Sequence, residues 1–118
     1  MAAGGKETLL TFVIPATSGA SNAVELTGLT ILDMQFPTAF DSGDVIIECS
    51  HRGTVFAPMY EDDGTAITIA GAASRYVVLE ERLFQGRRFA RLKCDGQSAA
   101  RSITARVVPT HSLIPPTF

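Results

Sequence analysis

The chain is expected to be an all-β protein: an antiparallel, jelly-roll-like β-sandwich of about eight short strands with one short helical turn. Three observations predict this class. Several short stretches alternate apolar and polar residues with a period of two, and none sustains a helical period of 3.6. Turn-forming residues recur at intervals of about a dozen residues, the spacing of a sandwich or small barrel. The length of 118 residues, 46% of them hydrophobic and 19% charged, suits one domain that buries about two-thirds of its unfolded surface. No apolar run approaches the roughly twenty residues of a membrane span, so no membrane partner is expected.

The elements follow in chain order. "TLLTFVI" places Leu10, Phe12 and Ile14 on one face, as a half-buried strand requires. "LTILDMQF" does the same with Leu32, Met34 and Phe36, leaving Asp33 and Gln35 on the other side. "DVIIECS" aligns Val45, Ile47 and Cys49 before "HRG" turns the chain into "TVFAPMY". Pro58 lacks a backbone donor and marks that strand as an edge or a bulge. "EDDG" is a turn, because Asp63 and Gly64 tolerate positive φ between two strand candidates. "TAITIA" aligns Thr65, Ile67 and Ile69, and small residues then lead into "RYVVL". "EERLFQG" is the one helical candidate, a plug in which Leu83 and Phe84 pack beneath a single turn that Gly86 ends. "RFARLKC" and "RSITARVV" are the last strands.

The expected domain spans residues 8–108, between a flexible arm at 1–7 and a Pro-rich arm at 109–118. Pro109, Pro115 and Pro116 resist a central strand and bias the chain toward extended conformations. Leu113, Ile114 and Phe118 are apolar residues on a segment with no core of its own, and are expected to fold back or to dock on a neighbour. The first ten residues do not read as a secretory signal, so a reducing cytoplasm is the expected setting. Cys49 and Cys94 sit on core-facing alternations and read as small apolar groups, with a bridge between them left open.

The net charge of −2 conceals two opposite halves. Residues 1–73 hold two basic and nine acidic residues, −7, whereas residues 74–118 hold eight basic and three acidic residues, +5. Either neighbouring strands interleave and neutralise each other, or the molecule is a dipole suited to docking.

Chemical motifs are sparse. Cys49 and His51 fall on one face, yet the thiol lacks an exposed electropositive setting, and no Gly-x-Ser-x-Gly elbow is present, so no catalysis is expected. Glu61, Asp62 and Asp63 alternate in direction if extended, a poor calcium set, so no metal is expected. No glycine-rich loop feeds a helix N-terminus to bind phosphate, so no cofactor is expected. Of the six basic residues from Arg75 to Lys93, Arg91 and Lys93 stand opposite Ala90, Leu92 and Cys94, as Arg106 stands opposite Ile103, Ala105 and Val107, and the sequence pI is near 5.6. Such arginines read as a sheet face pairing with carboxylates, and no direct nucleic-acid contact is expected.

The stretch "AASRYVVLEERLFQGRRFARLKCDG", with "ELTGLTILDMQFP", "MYEDDGTAITI" and "ARSITARVV", resembles small virion structural proteins of tailed phages and prophages. The resemblance covers about residues 24–108. It lies in a strand ending at Leu79, a Leu-Phe turn closed by Gly86, and an aromatic-x-x-Leu-Lys strand from Phe89 to Lys93. Glu80 and Glu81 depart from the Asp-Pro more typical of that turn. The resemblance implies a non-enzymatic capsid decoration, or cement, protein on the virion surface, assembled in the host cytoplasm. Its implied partners are the major capsid protein and copies of itself, as a homo-oligomer on the particle. The expected contact residues are Arg87, Arg88 and Arg91, for carboxylate pairing, and Leu113, Ile114 and Phe118, for apolar anchoring. The rival expectation is a carbohydrate-binding jelly-roll module of a phage tail or adhesion apparatus. The absence of tryptophan and the presence of only two tyrosines weigh against a sugar site.

Overall fold

The computed structural model describes residues 8–110. It contains nine strands and one 3₁₀ turn: β1 (Thr8–Ile14), β2 (Val24–Glu25), β3 (Leu29–Gln35), β4 (Gly43–Ser50), β5 (Ala57–Pro58), β6 (Thr68–Gly71), β7 (Tyr76–Val78), the turn Glu81–Leu83, β8 (Phe89–Lys93) and β9 (Arg101–Pro109). The strands form two antiparallel sheets. One has the order β1-β9-β3-β7; the other runs β2-β8-β4-β5, with β6 also paired to β4. The all-β sandwich expected from alternation is therefore present; the two-residue β2 raises the strand number from eight to nine, and the expected strand around Pro58 is only the two-residue β5.

The inner faces follow the period-two pattern. Phe12, Ile14, Ile103, Ala105 and Val107 of the first sheet face Val45, Ile47, Ala90 and Leu92 of the second, all almost wholly buried. Phe36 and Phe40 meet edge to face with ring centroids 4.8 Å apart, an arrangement aromatic quadrupoles favour. Pro58 lies on the edge strand β5. Pro109 closes β9 opposite Leu29, at a strand end where a missing donor costs least.

One face assignment is corrected. The register of β3 against β9 shifts between Ile31 and Asp33, so a bulge at Leu32 inserts an extra residue. Ile31, fully buried, therefore joins Met34 and Phe36 in the core, and Leu32 is only half-buried. Asp33 points away from the core as expected, yet it is only 6% exposed. Arg106 covers it, donating from Nε at 3.1 Å and from one terminal nitrogen at 2.8 Å.

Two turns match their residue chemistry. Gly64 has φ +93° in a turn where its N–H donates to the Glu61 carbonyl at 2.9 Å and Thr65 N–H donates to the Asp63 carboxylate at 2.9 Å. Gly86, at φ +82°, releases the chain from the 3₁₀ turn in a conformation that a side chain would strain. Leu83 and Phe84 of this plug are buried, as the sequence predicts.

The far loops are joined by Asp41. Its carboxylate accepts from Ser98 N–H at 2.7 Å and Ser98 Oγ at 3.0 Å, and Gln97 completes the link by bonding both backbone groups of Asp41. The Ser98 hydrogen bonds, with the Arg101 guanidinium nearby, hold the Asp41 carboxyl below its ordinary value of 3.8. A depressed folded value means that the charged carboxylate stabilises the fold above pH 3.8 and that this contribution disappears as pH falls through the lower folded value. Asp41→Asn is accordingly expected to lower the urea midpoint at neutral pH, with the gap to the parent protein closing in acid. A gap independent of pH would count against this role.

A candidate cationic cleft

The opposite charges of the two halves meet in four ion pairs, two of them between register partners of neighbouring strands. Asp33 pairs with Arg106, Glu48 with Arg91, Asp41 with Arg101 and Glu61 with Arg82. Each pair joins an acid of the first half to an arginine of the second. Among the described residues, Arg52, Arg75, Arg87 and Arg88 form no ion pair. Arg75 donates instead to the Ala70 carbonyl at 3.2 Å.

The other three arginines line one open cleft, about 980 Å³ in volume. It lies where β4 ends and β8 begins, since Ser50 pairs with Phe89. One wall is the loop after β4, and the other is Gly86–Arg88, delivered by the plug. Ser50 shapes the first wall by accepting the N–H groups of Arg52 at 3.3 Å and Gly53 at 2.9 Å. Arg87 is steadied from the second wall by donating to the Arg82 carbonyl at 3.1 Å, and the Arg88 guanidinium sits 5.7 Å from the Phe89 ring centre. Cys49 and Met59 contribute to the lining, as does Val55, whose side chain is 80% exposed.

The electrostatics are one-sided. His51 also lines the cleft, and no carboxylate does. Guanidinium forks match carboxylates and phosphates in a bidentate geometry, and a concave wall strengthens the local field. The lining therefore favours an anionic group flanked by small apolar contacts.

Of the expected contact residues, Arg87 and Arg88 come together here. Arg91 does not line the cleft: its Nε bonds the Glu48 carboxylate at 2.6 Å and its guanidinium stacks 4.3 Å from the Phe56 ring centre. Leu113, Ile114 and Phe118 lie outside the described residues. Sequence patterning marks Arg52 only as part of a turn, and His51 as a turn residue on the same face as Cys49. The legible signal is that Arg52 is the one arginine in the acidic half.

Cys49 and His51 share the cleft. Burial pushes the Cys49 thiol above its ordinary value of 9.0, against a smaller opposing effect of Arg87, so the thiol stays protonated at neutral pH. Its sulfur lies 3.6 Å from that of Met59, and both cysteines are free thiols. Among the described residues no cluster of three or more His, Cys, Asp or Glu is placed to hold a metal ion, and no helix is long and apolar enough to cross a membrane.

The fold and the site together define a class, a two-sheet antiparallel β-sandwich with an unneutralised arginine cleft at one end of a sheet. Set against known proteins, the chain matches no family model, no curated protein and no solved structure.

Proposed function

We propose that this protein is a non-enzymatic virion structural protein, a capsid decoration or cement protein that binds the phage shell and stabilises it through contacts between subunits. The observation that carries the reading is the cleft. Three arginines without carboxylate partners surround an exposed valine, a combination suited to a protein interface, where arginine and apolar residues concentrate. Most of the remaining arginine charge is spent within the chain on pairs that hold the sheets. In chain order the nine strands alternate between the two sheets except for β4, β5 and β6, which all lie in the second, and we take this order as a jelly roll. Apolar anchoring by Leu113, Ile114 and Phe118 belongs to the same reading.

The deciding experiment measures binding of the purified protein to DNA-free capsids, and then of the triple variant Arg52→Glu, Arg87→Glu, Arg88→Glu. Binding at fixed stoichiometry, weakened by salt and lowered at least about tenfold by charge reversal, is the expected result. No binding by the parent protein would overturn the proposal, and unchanged binding by the variant would remove the cleft from it. The rival carbohydrate module draws no specific support from this cleft, because no exposed aromatic side chain lines it.

A further inference from the structure

The cleft needs an anionic occupant, and the same molecule displays one. The Glu61–Gly64 turn ends a hairpin closed by the Tyr60–Ala66 bridge, and Met59, just ahead of that bridge, lines the cleft. Asp62 and Asp63 at the tip are exposed and form no ion pair among the described residues. Glu61, in contrast, is clamped by both terminal nitrogens of Arg82, at 3.1 and 2.9 Å. Arg82 is held in turn by Glu80 at 2.6 Å, so the turn is fixed in place by charges that are already paired.

That clamp leaves the molecule with two preformed and opposite features. Thr65 N–H and the Asp63 carboxylate tie the tip into a tight turn, so little ordering entropy opposes its docking. Within one copy Glu61 holds the turn on Arg82, and neither Asp62 nor Asp63 pairs with Arg52, Arg87 or Arg88. A second copy faces no such restraint.

We propose that the arginine cleft of one copy receives the Asp62–Asp63 turn of another, making the chain a homo-oligomer through its own charge complementarity. This rests on the interface reading above and names the partner of that cleft. Exposed ion pairs are individually weak. Here two carboxylates meet three guanidinium groups in a concave site, and closed symmetry repeats the contact in every subunit.

The test is a charge exchange followed by sedimentation velocity of the full chain at low ionic strength. The parent protein is expected to associate in a concentration-dependent manner and to dissociate in roughly 0.5 M salt, where the screening length falls to a few ångströms. Arg87→Glu with Arg88→Glu, and separately Asp62→Lys with Asp63→Lys, should each weaken self-association at least about tenfold. Mixing the two variants should restore it, because one supplies an intact cleft and the other an intact turn. All four positions are surface groups outside the core, and an unchanged circular dichroism spectrum checks the fold of each variant. A monomeric parent protein, an associating single variant or a mixture that stays monomeric would each overturn the proposal. The assay needs no particle, so it separates from the proposed function. Loss of capsid binding in the arginine variant without self-association removes this inference alone, and self-association without capsid binding removes the decoration reading alone.

Discussion

Phe84→Ala is expected to cost the fold about 3–5 kcal/mol, the range for truncating a large buried aromatic side chain. Phe84 has no exposed surface, and it lies at the end of a three-residue 3₁₀ turn that has little stability of its own. Such a turn persists because its apolar side chains are buried, since one turn fixes several dihedral angles for one or two hydrogen bonds. Emptying the Phe84 site removes the anchor of the segment that delivers Arg87 and Arg88. Urea denaturation should show the midpoint falling by about 2 M with an unchanged slope. Glu81→Ala, an exposed neighbour, is the control and should shift stability by less than about 0.5 kcal/mol. Equal effects from the two substitutions would show that the plug is held by its backbone and not by its core contacts.

Asp33→Ala should be nearly as damaging, at about 2–4 kcal/mol. Breaking a fully buried ion pair costs about 3–5 kcal/mol because the surviving charge is left desolvated. The Arg106 side chain is 33% exposed, and partial access to water lowers that figure. Asp33→Leu combined with Arg106→Leu should recover more than half of the loss, since removing both charges also removes their desolvation. Tyr76 provides a second readout. Hydrogen bonding to the Asp33 carboxylate, with burial and the nearby negative charge adding to it, raises the Tyr76 phenol above its ordinary value of 10.0. Its titration should move down in the Asp33→Ala protein. Additive losses in the double variant would show that the pair is uncoupled, and an unmoved tyrosine titration would show that Tyr76 does not sense the Asp33 carboxylate.

These two residues differ in how far they are legible in the chain itself. Leu83 and Phe84 stand between two alternating strands and ahead of Gly86, a local pattern in which a handful of neighbouring residues suffices to identify a plug. Asp33 reads as an outward-facing polar residue, which it is, but its burial depends on Arg106, 73 positions away. Alternation reports the side of a strand on which a residue lies. It carries no information about what covers that side. The bulge at Leu32 has the same origin: a single inserted residue leaves the composition of β3 intact while moving Ile31 into the core.

The arginines divide in the same way. Sequence spacing groups Arg87, Arg88 and Arg91 because they are close in the chain. In the sandwich, Glu48 of β4 lies directly opposite Arg91 of β8, and this register commits Arg91 to an internal pair. The loop after β4 brings Arg52 to the place beside Arg87 and Arg88 that Arg91 does not occupy.

What the amino-acid sequence by itself determined was the all-β class, the inward face of most strands, the restriction of Pro58 to an edge or a bulge, and the turns at Gly64 and Gly86. Each depends on dihedral preference or period-two alternation, which act over a few neighbouring residues. Only the tertiary structure decided which charges are neutralised, because strand order and register place carboxylates against guanidinium groups 43 and 73 residues apart. The cleft is what that pairing leaves over, three arginines gathered from two distant segments with no acid among the residues around them.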